Sequence, residues 1–182
     1  MVVGIPNVGK STLINYLRSR HTNKKGKATQ VGGVPGVTRS VSGRILISQR
    51  PPISVFDSPG ILQPNIGNPE VGMKLALCGT LPDHLVGEES IVDYMLYVLN
   101  KKKNFAYVSE LNLDTPFDNV NKFLHAVASK HQFHRDAVNM KTGQMESVAD
   151  VNRTARFVIG YFRSGRFGKI LLDQEYFEQN IV

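Results

Sequence analysis

Met1-Val2-Val3-Gly4-Ile5-Pro6-Asn7-Val8-Gly9-Lys10-Ser11-Thr12 is a short apolar run, a loop bounded by two glycines, and the start of a helical pattern. Its GxxxxGKS spacing reads as a phosphate-binding P-loop. Gly4 and Gly9 let the backbone curl so that successive N–H groups of Asn7, Val8, Gly9, Lys10, Ser11 and Thr12 point inward at an anion. Lys10 is expected to reach the β- and γ-phosphates and Ser11 to offer its hydroxyl to Mg²⁺. The helix beginning here adds the positive end of its dipole. Val2 and Val3 supply the end of a strand, and Leu13, Ile14 and Leu17 give the helix an apolar stripe.

Working outward, the helix fades near Arg20. Residues 23–43 are rich in Gly, Lys, Val and Thr without a sustained period, which marks a long loop. Phosphate-sensing switches need a threonine close before the next strand, where hydroxyl and backbone meet Mg²⁺ and the γ-phosphate. Thr38, within Val34-Pro35-Gly36-Val37-Thr38-Arg39, is the preferred candidate and Thr29 the weaker one. Two short strands are expected at 44–48 and 53–56, around the turn Gln49-Arg50-Pro51-Pro52. The second leads into Asp57-Ser58-Pro59-Gly60, a DxxG element in which Asp57 assists Mg²⁺, usually through water, and the Gly60 amide bonds the γ-phosphate. Lys10, Thr38 and Gly60 are the candidate catalytic groups for phosphoryl transfer to water.

Two departures from the usual pattern matter. Ile61 follows DxxG where a glutamine often orients the attacking water, and it cannot hydrogen-bond. Asn7 is a substitute candidate, because its side chain could help hold a monovalent cation such as K⁺; a plain turn-stabilising role is the alternative. No guanine-reading NKxD follows DxxG, since Asn100-Lys101-Lys102-Lys103 and Asn121-Lys122-Phe123-Leu124 lack the acid. Either guanine is not selected, or the reading segment lies upstream of Met1, the arrangement expected from the bare start.

The order of these motifs resembles the circularly permuted GTPases, and among them the YlqF/RbgA-type ribosome-assembly family. The match is carried by residues 4–11, by Pro35-Gly36-Val37-Thr38, by Asp57-Ser58-Pro59-Gly60-Ile61, by Lys74-Leu75-Ala76-Leu77-Cys78-Gly79, and by the closing run Phe162-Arg163-Ser164-Gly165-Arg166-Phe167-Gly168-Lys169. Cys78-Gly79-Thr80 with residues 83–89 looks closest to the animal mitochondrial branch. The resemblance implies GTP as substrate, hydrolysis coupled to maturation of the large ribosomal subunit, and K⁺ dependence through Asn7. It also implies a mitochondrial location on the matrix side of the inner membrane, with peripheral membrane association.

Composition sets outer limits. The 182 residues include one cysteine, Cys78, so no internal disulfide is available. No run approaches the ~18 apolar residues of a spanning helix, so no transmembrane segment is expected. Charge is uneven: residues 1–82 carry ten Lys/Arg and two Asp/Glu (+8), residues 83–182 twelve and thirteen (−1). Arg18, Arg20, Lys24, Lys25 and Lys27 suit either a polyanionic partner or a solvated loop.

The expected fold class is α/β, with a partial P-loop GTPase domain over 1–82 and an all-α module over 83–182 for which the resemblance implies docking on ribosomal RNA. In the second part, helices are expected from Asn68-Pro69-Glu70 to Gly79, around Ile91, Tyr94, Met95, Val98 and Leu99, from Thr115-Pro116 onward, and along Val148, Val151, Ala155, Val158, Ile159 and Phe162. Arg153, Arg156 and Arg163, continued by Arg166 and Lys169, form the RNA-contact candidate; a solvated face fits their charge pattern equally. His131 and His134 lack further ligands spaced for a metal and are expected at the surface. The rival functional readings are a non-enzymatic RNA-binding fragment and a P-loop ATPase or nucleotide kinase.

Overall fold

A computed structural model describes residues 1–22, 28–29, 43–62, 66–140 and 143–174. The chain forms two compact units, Met1–Leu85 and Val86–Val182.

In the first unit, α1 (Lys10–His21) packs on β1 (Ile45–Gln49), which pairs antiparallel with β2 (Pro52–Val55). The register shifts between Leu46 and Ser48, a bulge that bends the ribbon. Of the expected helix stripe, Ile14 is fully buried while Leu13 is 51% exposed, so α1 buries an edge rather than the whole stripe. The opening run makes one parallel bridge, Val2 to Asp57, with the Val2 N–H donating to the Phe56 carbonyl at 2.9 Å. The Ser58 hydroxyl donates to the Val2 carbonyl at 2.7 Å, and the Ile61 N–H to the Gly4 carbonyl at 3.1 Å. These bonds lay the DxxG segment along the loop's own entry strand.

The helix expected after Asn68 is α2 (Pro69–Leu77), and its start follows local chemistry. The Asn68 carboxamide accepts from the Glu70 N–H at 2.8 Å, and Pro69 at the first turn gives up only an N–H that would lack an intrahelical partner. Gly79, at φ +72°, closes it in the left-handed region that glycine tolerates.

A four-residue turn of helix, α3 (Asp83–Val86), leads in sequence to α4 (Glu88–Lys101), α5 (Ala106–Glu110), α6 (Val120–Lys130) and α7 (Val151–Arg163). In the second unit α7 packs against both α4 and α6. Ile91, Met95, Leu96, Leu99, Phe123, Leu124, Val127, Val158 and Ile159 fill the space between them at 1% exposure or less. Each such side chain contributes about 1.5–3 kcal/mol.

Three expectations fail in this half. The unit is not all-α: β3 (His134–Val138) and β4 (Met145–Ala149) form an in-register antiparallel hairpin. Asn139 and Gly143 hold its connection, with Gly143 N–H donating to Asn139 C=O and Asn139 N–H to Gln144 C=O, both at 2.8 Å. Val148 therefore belongs to β4, and the Asp150 carboxylate caps α7 by accepting from the Arg153 N–H at 3.0 Å.

Thr115-Pro116 does not start α6 either. Asn119 does, accepting from the Lys122 N–H at 3.0 Å. Phe117 stays outside the helix because its backbone is used elsewhere. Its N–H donates to the Tyr107 hydroxyl at 3.1 Å, and its carbonyl accepts from Asn100 Nδ2 at 2.7 Å. Tyr107 is fully buried and its hydroxyl donates to Asn100 Oδ1 at 3.0 Å. Burial raises the phenol's pKa above 10.0, against opposing hydrogen bonds from the Phe117 backbone and Asn100.

Candidate functional site

The loop at 4–9 takes its shape from two residues in the left-handed region, Asn7 at φ +59° and Gly9 at φ +89°. Glycine is the only residue free of strain at Gly9, while asparagine is among the few that tolerate such a φ at Asn7. Gly4 has an ordinary conformation, and a Cβ there would meet Val8 Cγ2 at 3.4 Å, an ordinary contact. The expected need for two flexible glycines thus holds for Gly9. What Gly4 contributes is its carbonyl, which receives the Ile61 N–H.

Helix α1 begins immediately after Gly9 with no side-chain cap and no acidic residue in its first turn. Its leading N–H groups and the positive end of its dipole are thereby directed at whatever the loop encloses, the arrangement that suits an anion. The Lys10 ammonium folds back and donates to the Ile5 carbonyl at 2.8 Å, spanning the loop.

Ser11 and Asp57 come from opposite sides. The Ser11 hydroxyl donates to Asp57 Oδ2 at 2.6 Å, and Asp57 is fully buried. A hydroxyl and a carboxylate meeting beside a phosphate loop form a hard-oxygen donor set, which fits Mg²⁺ since that ion takes one or two carboxylates and completes its shell with water and phosphate. Among the described residues no group of three or more His, Cys, Asp or Glu gathers to hold a metal. Gly60 lies so close to the loop that a Cβ would fall 2.5 Å from the Cα and N of Pro6.

Thr38 lies outside the described residues. Thr29, the weaker candidate, is buried beside α1: its hydroxyl donates to the Ser11 carbonyl at 3.3 Å, its N–H to Asn15 Oδ1 at 3.2 Å, and its carbonyl accepts from Asn15 Nδ2 at 3.0 Å. Two further contacts escape sequence reading. The Asn7 side-chain amide donates to the Gly79 carbonyl, and the Thr80 hydroxyl donates to the Pro6 carbonyl at 3.4 Å. The turn that closes α2 thus fastens the loop, and the only sequence hint was the Cys78-Gly79-Thr80 run itself.

In the second unit the candidate RNA residues differ in environment. Arg153 lies 4.5 Å from the Phe133 ring centroid and Arg166 4.7 Å from that of Tyr161. Arg156 pairs with Glu88 at 3.4 Å. Arg163, in the last turn of α7, and Lys169 are exposed. His134 is exposed as expected, whereas His131 is half-buried, its ring 5.7 Å from that of Phe133 and 4.8 Å from that of Phe157.

A family model described as "50S ribosome-binding GTPase" matches residues 1–134. Mitochondrial GTPase 1 of Aedes aegypti is 51% identical over 97% of this chain and 55% of its own length. Mitochondrial ribosome-associated GTPase 1 of Mus musculus is 46% identical over 96% and 54%, and mitochondrial GTPase 1 of Schizosaccharomyces japonicus 34% identical over 98% and 50%. The chain spans about half the length of the curated relatives it matches. Among the described residues no helix is long and apolar enough to cross a membrane.

Proposed function

The chain belongs to the 50S ribosome-binding GTPase family, and on that premise we propose that it carries the phosphate-binding and switch portion of a GTP-hydrolysing factor for assembly of the large mitochondrial ribosomal subunit, and hence for control of mitochondrial translation. The observation that carries the reading is the meeting of Ser11 and Asp57 at 2.6 Å beside the uncapped start of α1. In the proposed division, residues 1–82 handle the nucleotide and 83–182 dock on ribosomal RNA. The order of motifs supports circular permutation.

Asn7, Val8, Gly9, Lys10, Ser11 and Thr12 enclose the phosphates, the backbone through its N–H groups. Lys10 exchanges its bond to the Ile5 carbonyl for β- and γ-phosphate oxygens, neutralising charge that develops on the transferred group. Ser11 and Thr38 would hold Mg²⁺, with Asp57 assisting through water, and the ion would supply stabilisation of the charge that develops on the transferred group. The Gly60 amide meets the γ-phosphate, so its loss frees the segment after Asp57 and alters affinity for the ribosomal particle. Asn7, whose amide group donates to the Gly79 carbonyl, would help hold K⁺ through its carboxamide oxygen. Arg153, Arg156, Arg163, Arg166 and Lys169 are the proposed contacts to ribosomal RNA. The naming of the relatives supports a mitochondrial location; the matrix side of the inner membrane, with peripheral attachment, is the finer reading that the family resemblance implies.

The test is GTP turnover with and without large ribosomal subunits, measured on the chain and on the full-length mosquito relative carrying the matching substitutions. Lys10→Ala is expected to abolish both rates. Unchanged turnover, or ATP displacing labelled GTP as well as GTP itself, refutes the assignment.

A further inference from the structure

Arg153, Phe157 and Tyr161 recur at i, i+4 and i+8 on α7, so they share one side of the helix. Phe133 extends the row: its ring lies 5.0 Å from that of Phe157, which lies 4.4 Å from that of Tyr161. His131 adds a fourth ring, 4.8 Å from Phe157. Each end of the row is covered by a guanidinium, Arg153 on Phe133 and Arg166 on Tyr161.

Core packing accounts for only part of this strip, through Tyr161, whose ring lies 6.3 Å from that of Phe167. The aromatic residues that fill the core of the same unit, Tyr107, Phe123 and Phe167, are fully buried. Phe133, Phe157 and Tyr161 are only half-buried, and Arg153 and Arg166 are exposed. Residues 83–182 sum to −1, yet this strip is bracketed by two cations whose planar groups are already held in place. A guanidinium seated on a ring retains N–H donors around its edge for phosphate while its outer face stays flat. Rings and flat cations in a row offer stacking partners to bases that are not already stacked in a helix, whereas a double helix presents only phosphates and sugars to such a surface.

We propose that the Arg153–Phe133–Phe157–Tyr161–Arg166 strip binds unpaired nucleotides of RNA, stacking bases on the outer faces of its two guanidiniums and on the ring surface left exposed between them, and fixing the adjoining phosphates with the guanidinium N–H groups. The inference rests on the ribosomal RNA reading and specifies which form of RNA this half takes.

The test is fluorescence anisotropy of the whole chain with a short labelled oligoadenylate and with an RNA duplex of similar length, across a salt series. Single strand is expected to bind about tenfold or more tightly than duplex. Tyr161→Leu weakens the single strand about fivefold or more and leaves the duplex unchanged. Arg153→Lys keeps the charge and touches no core residue. It is expected to weaken the single strand severalfold without changing the slope of affinity against salt, whereas Lys169→Ala lowers that slope by roughly 0.7.

Equal or tighter binding of duplex overturns the proposal. So does wild-type affinity of both Tyr161→Leu and Arg153→Lys for oligoadenylate, and so does tighter binding of anionic vesicles or an acidic peptide than of RNA. Ribosome-stimulated GTP turnover judges the wider reading separately: retained stimulation alongside duplex preference rejects this inference alone, and loss of stimulation with single-strand preference intact rejects only the GTPase reading.

Discussion

Gly60→Ala probes the junction between DxxG and the phosphate loop. The new Cβ falls 2.5 Å from Pro6 Cα and N and 2.7 Å from its Cγ, whereas ordinary contact begins near 3.4 Å. The atoms it meets are backbone and a proline ring, neither of which can swing aside, so the two segments must part by about 1 Å. Overpacking of this kind costs about 1–3 kcal/mol. The strain falls on the bond from the Ile61 N–H to the Gly4 carbonyl, already 3.1 Å long. Hydrogen exchange at the Ile61 amide is the direct assay, and protection is expected to drop between about fivefold and a hundredfold, since 1.4 kcal/mol is tenfold. A parallel titration with nucleotide should show GTP affinity falling more than GDP affinity, because the displaced segment carries the Gly60 amide assigned to the γ-phosphate. Undiminished Ile61 protection together with an unchanged GTP/GDP ratio would refute the reasoning.

Tyr107→Phe strands the Phe117 N–H and Asn100 Oδ1 in the interior and should lower stability by about 1–3 kcal/mol, read in urea titrations and as faster exchange of the Phe117 amide. Because burial raises the phenol's folded pKa above its unfolded value, its stabilising contribution is complete below pH 10 and is lost as pH rises through the raised value. The Phe variant should therefore lose less stability than wild type on going to strongly alkaline pH. Asp150→Ala removes the α7 cap at a cost of about 0.5–2 kcal/mol, while Asp150→Asn should cost little, since both residues cap well. Thermal unfolding followed by helical circular dichroism distinguishes the pair, and equal melting of both variants would reject the cap.

What could be read from the sequence was chemistry confined to a few neighbouring residues. Gly9-Lys10-Ser11 implies its own turn and helix start, Asn68-Pro69-Glu70 caps its own helix, and the Pro51-Pro52 turn sits between two short strands. The hairpin at 134–149 went unseen because His-Arg-Asp-Ala-Val has no apolar alternation, so nothing in it competes with the helical pattern that follows. The start of α6 was misplaced because Thr115-Pro116 and Asn119 are both plausible openings. What decides between them is the Phe117 backbone, whose N–H donates to the Tyr107 hydroxyl and whose carbonyl accepts from Asn100 Nδ2. The meeting of Ser11 with Asp57 was implied by motif order; the seating of Arg153 and Arg166 on rings was not, since it requires Phe133 to arrive from another element.

The bonds joining Asn7 to Gly79 and Thr80 to Pro6 span 72 and 74 positions of the chain. A peptide carrying only the opening motif would therefore lack two of the restraints that shape it. During synthesis the loop is made some seventy residues before the turn that secures it. The loop is thus locked only once Gly79 and Thr80 have been made, well after its own residues.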